Sequence, residues 1–347
     1  MTFSFLEARL TKRYPLRISR GVSTGSNNLF VTVSDGAHTG IGECAPGTGY
    51  DDSMAAAIRP KLEAFIAEWH GAMSIREAYA KAREVDMDPP AIAGLDMALW
   101  DLLAKLCNVP LYRLYGLAKP KVPTSVTIGI NPAEVIRERV PEILARTGGK
   151  ALKVKLGCPE GIERDKENYL AAKDSSSPFD VKLRVDANGG WTVEEAKHMM
   201  RWLAERQCDY VEQPLPQGLE RELPQLFEGR PLPIFVDESV HFSQDVPLVA
   251  PWVDGVNLKL MKCGGLTEAL NIVAVARAHG LQTMIGCMGE SSVAISAGAS
   301  IGALFDHIDL DSHLNLDPDP AIGALMVDGI VTPPERPGHG AELRKGA

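Results

Sequence analysis

The sequence predicts an α/β fold: an eight-stranded barrel of the (β/α)8 type, in (β/α)7β form, with a smaller α+β capping domain. Three observations predict it. First, three strand-like runs each end on an acid. Val181, Leu183 and Val185 alternate with polar residues up to Asp186, and the run breaks at Gly189-Gly190. Tyr210-Val211 ends on Glu212, and Ile234-Phe235-Val236 ends on Asp237. The acids recur about every 25 residues, roughly one βα unit. Second, strand-like and helix-like segments alternate from Val122 to Leu310. Third, the first part of the chain follows a different pattern, strands first and helices after.

In order, the chain begins with strands at Phe3–Leu10 and Asn28–Val33. The small, polar stretch Ser19–Asn27 between them is expected to be a mobile loop. A third strand, Thr39–Cys44, runs into a Gly-rich loop, Ala45-Pro46-Gly47-Thr48-Gly49-Tyr50. Helices are expected at Ser53–Trp69, Ser74–Val85 and Pro90–Leu106, the last closely packed with Ala and Leu around Asp96 and Asp101. Residues 1–120 are therefore assigned to the α+β cap. Val122-Pro123 marks the boundary to a barrel over 121–317. Its strands are Thr124–Ile130, Ala151–Leu156, the three acid-ended runs, Asp254–Leu260, Gln282–Gly286 and His307–Leu310. Helices follow each of the first seven, and Thr192 with Glu195 forms a capping box at the start of one. Residues 318–347 are rich in Pro and Gly, with one strand-like patch at Ala324–Val331, and are expected to return to the cap.

Composition narrows the function. The chain has 347 residues, 45% of them hydrophobic, with a formal net charge of −9. That disfavours nucleic acid and anionic membrane as partners. No segment has signal-peptide or membrane-span length. The six cysteines are scattered without a CxxC, which fits free thiols in a cytoplasmic protein.

Barrels of this type carry their chemistry at the C-terminal ends of the strands. Asp186, Glu212 and Asp237 all fall there. Converging carboxylates repel one another unless a cation lies between them. Three oxygen donors, with no His or Cys, favour Mg2+ over Zn2+. Lys153 and Lys155 on the second strand share a face by alternation. Side by side, the two ammonium groups should disfavour each other's protonation, making one a base near neutral pH. Lys259 ends the sixth strand, four strands away and so across the barrel. Lys262 is expected in the loop beyond it. Opposed lysines about a metal suit one reaction: removal of a proton from carbon on one face and its return on the other.

Lys153-Val-Lys155, Val185-Asp186-Ala-Asn188, Glu212-Gln213-Pro214, Asp237-Glu238-Ser239 and Asn257-Leu-Lys259-Leu-Met-Lys-Cys-Gly-Gly resemble the muconate-lactonising subgroup of the enolase superfamily. The resemblance covers nearly the whole chain. It implies Asp186, Glu212 and Asp237 as Mg2+ ligands, Lys155 and Lys259 as the acid/base pair, and Lys153 as the residue that tunes Lys155. It also implies Asn188 and Glu238 as residues around the ligands. Two further stretches, Met284–Ser292 and Asp309-Leu310-Asp311, resemble dipeptide epimerases. That likeness implies Asp309 and Asp311 as the site of the dipeptide ammonium. It also implies Arg20, Thr127, Met288 and Gly289 as substrate contacts. Gly289 departs from the family, which has a larger residue there.

Epimerases for Ala-Glu share a second basic residue shortly after Arg20-Gly21. Val22-Ser23-Thr24 offers none, so the second side chain of the substrate is expected not to be acidic. The competing readings on the same fold are an N-acylamino-acid racemase, an o-succinylbenzoate synthase and a muconate cycloisomerase. None of them needs a cation site at Asp309 and Asp311. A reading of another class is an inactive metal- or dipeptide-binding protein. A homo-oligomer is compatible with the apolar helix faces. His241, His307 and His313 are expected to be structural or to stand behind the site residues.

Overall fold

The computed structural model describes residues 1–47, 51–69 and 73–346. β1 (Thr2–Ile18), β2 (Gly21–Ser34) and β3 (Thr39–Cys44) form an antiparallel sheet in that order. Ser19–Asn27 is not a loop. Both strands continue past their expected ends and meet at the two-residue turn Ser19-Arg20. The register shifts between Thr11 and Leu16, around Pro15, then resumes with Leu16 opposite Ser23. Small polar residues stay extended here because the barrel supplies partners. Arg17 O accepts from Ile130 N (2.9 Å), Thr11 O accepts from Asp317 N (2.9 Å), and the Asn315 amide bonds both main-chain groups of Tyr14. Of the Gly-rich loop, Thr48, Gly49 and Tyr50 lie outside the described residues.

α1 (Met54–Ala67), α2 (Ile75–Glu84) and α3 (Pro89–Leu106) pack on this sheet, followed by the short α4 (Leu111–Leu114). α3 lies unusually close to β3. A Cβ on Gly42 would fall 1.9 Å from Gly94 O, so only glycine permits the contact.

The barrel strands are β4 (Ser125–Ile128), β5 (Ala151–Lys155), β6 (Lys182–Asp186), β7 (Val211–Glu212), β8 (Ile234–Val236), β9 (Gly255–Lys259), β10 (Gln282–Gly286) and β11 (His307–Asp309). They pair in sequence order, all parallel, and a Thr124–Ile308 bridge joins the two edges. α5 (Ala133–Thr147), α6 (Ile162–Ser176) and α7 (Val193–Ala204) follow the first three strands, and Thr192 and Glu195 cap α7 reciprocally. A short helix follows each of Glu212 and Asp237, α8 (Leu223–Phe227) and α9 (Val246–Val249), and each carries a proline in its first turn, where no intrahelical N–H is needed. α10 (Leu260–Cys263), α11 (Leu266–Ala278) and α12 (Ser292–Ser300) complete the ring. Among the described residues no α-helix follows β11, only the 3-10 turn Ser312–Asn315.

The tail takes that place as β12 (Ala321–Ile322), β13 (Leu325–Val327), β14 (Ile330–Thr332) and β15 (Glu342–Leu343). β13 and β14 form a hairpin, and β15 pairs back onto β12. The tail then reaches the cap. Gly338 O accepts from Leu111 N (2.7 Å), and His339 N donates to the buried Asp101 (2.8 Å).

Buried acids join cap to barrel. Glu43 on β3 accepts from Ser291 N (2.9 Å), Ser291 Oγ (2.6 Å) and Ala294 N (3.1 Å) at the start of α12, and from Asn28 Nδ2 (2.7 Å). Asp96 on α3 accepts from Thr267 N and Oγ1 in the first turn of α11.

Glu43→Ala would leave four buried donors unmatched. It is expected to cost about 3 kcal/mol, read from urea unfolding midpoints, and a loss below about 0.5 kcal/mol would contradict the bond network. His313 is buried with neither ring nitrogen hydrogen-bonded, and burial pushes its pKa down to about 4. The unfolded chain takes up this proton first, so the contribution is present above pH ~6.5 and is lost as the pH falls toward 4. Between pH 7 and pH 4.5, His313→Leu is expected to lose about 2 kcal/mol less than the parent protein. Parallel losses in the two would refute it.

Candidate active site

Strand register builds the centre. Lys155 is paired with Asp186, and Asp186 with Glu212, on adjacent parallel strands. Asp237 lies one residue past β8. All three acids are fully buried, and each offers an oxygen within 4.8 Å of the others. Lys155 Nζ donates to Asp186 Oδ2 (2.6 Å) and Lys259 Nζ to Asp237 Oδ2 (2.6 Å). Each lysine is thus anchored on a different acid, with β6, β7 and β8 between their strands. Lys153 lies below, bonded to both Glu212 and Asp309.

This arrangement corrects one expectation. Burial alone would lower the pKa of Lys153, but the charges of Asp309 and Glu212 outweigh it and hold the ammonium well above its usual range. Lys153 is a counter-ion for two acids rather than a source of repulsion. Among the acids, burial pushes Glu212 up to about 7, helped by the charge of Asp186. Burial works the same way on Asp237, but Lys259 and Lys262 together hold it below the usual carboxylate range.

Lys262 is the second correction. It is not in a loop. β9 runs straight into α10, which turns Lys262 inward. Its ammonium lies 2.6 Å from Asp237 Oδ1 and donates to the carbonyls of Asp237, Val240 (2.9 Å) and Asn257 (3.2 Å). Other residues around the acids also escaped the sequence reading. Asn257 Nδ2 donates to Glu212 Oε1 (2.7 Å), and Gln213 Oε1 accepts from Asp237 N (2.8 Å). Glu290 is buried, accepts from Met288 N (2.8 Å), and is pushed up to about 8 by burial. All three had a signal, since Asn257, Gln213 and Glu290 stand within the motifs quoted from the sequence, without a role assigned to them.

The donor set suits a hard divalent cation. It consists of three carboxylates and no nitrogen or sulfur. Asn188 holds Asp186 through its main-chain N (2.8 Å) and Nδ2 (3.0 Å). Glu238 accepts from Asn188 Nδ2 (3.3 Å) and from Arg20 Nη2 (2.6 Å). Ser19 and Arg20, at the hairpin tip, also bond Asn188 O (2.9 and 2.8 Å). Beside them lies a cavity of about 430 Å3, lined by Arg20, Gly157, Asn188, Gln213, Gln217 and Glu238 among others.

On the other side of the mouth, Asp309 ends β11 and Asp311 lies just past it. Asp309 Oδ1 has no hydrogen-bond partner among the described residues. Asp311 Oδ2 accepts from the main-chain N of Thr127 (2.7 Å), and its Oδ1 is 3.8 Å from Cys287 Sγ. Met288 and Gly289 lie in the loop after β10, where Asn28 Nδ2 (2.8 Å) and Ser26 Oγ (3.3 Å) on the hairpin bond Gly289 O. Of the three histidines, His307 opens β11 at the far end of the barrel, packed against Tyr210 and Phe235. No helix among the described residues is long and apolar enough to cross a membrane.

Fold and site together define a barrel enzyme of the enolase type. Residues 1–116 match the mandelate racemase / muconate lactonizing enzyme N-terminal domain, and residues 135–347 match the enolase C-terminal domain-like family. The chain belongs to this family. It is 56% identical over 345 residues to a hydrophobic dipeptide epimerase of a Flavobacteria bacterium (strain MS024-2A), covering 99% of both chains. It is 58% identical over 334 residues to a hydrophobic dipeptide epimerase of Roseobacter litoralis, covering 96% of each. Among solved structures it resembles the Enterococcus faecalis dipeptide epimerase complexed with Mg and L-Leu-L-Tyr, with a TM-score of 0.90, 29% identity and 98% of both chains covered.

Proposed function

We propose that this protein is an Mg2+-dependent dipeptide epimerase that inverts the α-carbon next to the dipeptide carboxylate. One observation carries the reading: a buried cluster of three carboxylates flanked by two lysines, each held by a different acid. Asp186, Glu212 and Asp237 would hold the ion. An Mg2+ ion held there would supply positive charge against the substrate carboxylate as the α-proton leaves.

Lys155 and Lys259 approach the α-carbon from opposite sides. One removes the proton and the other returns one to the opposite face, which inverts the centre. Asp186 and Asp237 set the direction of each ammonium. Lys153 neutralises Glu212 and Asp309 from below.

Asp309 Oδ1, without a hydrogen-bond partner among the described residues, and Asp311 Oδ1, which accepts a long bond from Cys287 Sγ (3.8 Å), together suit the ammonium of the first residue. Arg20 is engaged by Glu238, and Val22-Ser23-Thr24 offers no second basic residue shortly after it, so an acidic second side chain has no obvious partner there. A neutral, apolar second side chain is the better fit. The relatives named hydrophobic dipeptide epimerases support this.

The test is proton NMR in D2O with Mg2+ and a panel of L,L-dipeptides. The α-proton of the second residue should wash out as a diastereomer appears, and EDTA should stop both. Lys155→Met and Lys259→Met should each lose at least about 10^3-fold in turnover. Best turnover of Ala-Glu by a wide margin would sink the specificity argument. Asp311→Asn should reduce kcat/KM for dipeptides at least about tenfold while changing N-acylamino acids little. Equal losses on both would remove the ammonium assignment.

A further inference from the structure

β10 turns two of its residues into the barrel. Met284 packs with Tyr210 and Phe235, and its sulfur lies 3.8 Å from Lys153 Nζ. Alternation puts residue 286 on the same face, one layer nearer the mouth. In that layer Lys155, Asp186 and Glu212 are in register on β5, β6 and β7, and Lys259 and Asp309 flank residue 286 on β9 and β11. These five positions carry charged side chains, whereas residue 286 is glycine.

Backbone conformation does not require that glycine. Gly286 lies in a regular strand and outside the left-handed region, so its main chain admits any residue. The space around it does not. A Cβ there would lie 3.0 Å from both Nδ2 and Oδ1 of Asn257 and 3.1 Å from Cε of Lys259. Packed atoms sit at about 3.5–4.0 Å. The Lys259 stem therefore runs through the volume a side chain would take, on its way to Asp237 Oδ2 (2.6 Å), and the Asn257 amide lies beside it. Lys155, four strands away on β5, has no part in this contact.

We infer that Gly286 is a positioning residue for Lys259. The side chain it lacks is what lets the lysine stem lie against β10 and aim its ammonium across the acid cluster. This rests on the epimerase reading. A larger residue would push the stem toward the centre of the mouth, and proton transfer depends steeply on such placement.

The experiment follows α-proton exchange in D2O from L-Ala-L-Leu and L-Ala-D-Leu separately. In a two-base site each diastereomer gives its proton to a different lysine, and Lys259→Ala identifies the one that depends on Lys259. Gly286→Ala should slow exchange from that diastereomer at least about tenfold, and inversion with it, while slowing the other less than about threefold. In the Lys259→Ala background the same substitution should change the remaining exchange less than about twofold, because the stem it would meet is gone. Equal slowing of both diastereomers, a like loss in the Lys259→Ala background, or no slowing at all overturns the inference alone. If Gly286→Ala folds only together with Lys259→Ala, read from thermal melting, the conflict with the stem is upheld; if it unfolds both backgrounds, the conflict lies elsewhere and the inference falls. No exchange by the unaltered protein with any dipeptide overturns the epimerase reading, and the inference with it.

Discussion

Three buried carboxylates brought within 4.8 Å of one another repel, and the surrounding architecture answers that repulsion. Four lysines point at the cluster from two strands and one helical turn: Lys153 and Lys155 from β5, Lys259 from the end of β9, and Lys262 from α10. None is interchangeable with another, because each pairs with a different oxygen or a different acid. Breaking one pair would strand a buried charge, which costs far more than a surface ion pair gains. Beneath this layer Arg184 is buried, bonded to Ser125 and set over the Tyr210 ring. Tyr210, Phe235 and Met284 pack together there, with His307 against the two rings.

The hairpin of β1 and β2 is the other organising element. It lies across the mouth and touches it at several strands. Tyr14 is held by Asn315 after β11, Arg17 by Ile130 after β4 and Glu160 after β5, and Ser19 and Arg20 by Asn188 after β6. One ribbon therefore presents polar groups over both sides of the acid cluster.

The acid-ended strands were legible in sequence because a buried parallel strand has a strong apolar pattern, and an acid at its end stands out against it. Lysine alternation on β5 was legible for the same reason. Three things were not. The hairpin arms past Leu10 carry no alternation of their own, since their hydrogen-bond partners are Ile130, Asn315 and Asp317, far away in sequence. The inward turn of Lys262 depends on a four-residue helix that local propensity cannot announce. The rise in the Lys153 pKa depends on Asp309, 156 residues later, so a reading confined to its own strand saw only the neighbouring Lys155.

The buried acids that tie α3 and β3 to the barrel restrict how such proteins can be recombined. Glu43 is matched to Ser291, Asp96 to Thr267, and Asp101 to His339 in the tail. A chimera that joined this cap to another barrel would have to carry those partners with it. Otherwise each interface would bury a carboxylate without donors. Cap and barrel are therefore not exchangeable modules, and sequence drift on one side of the seam is constrained by the residue facing it.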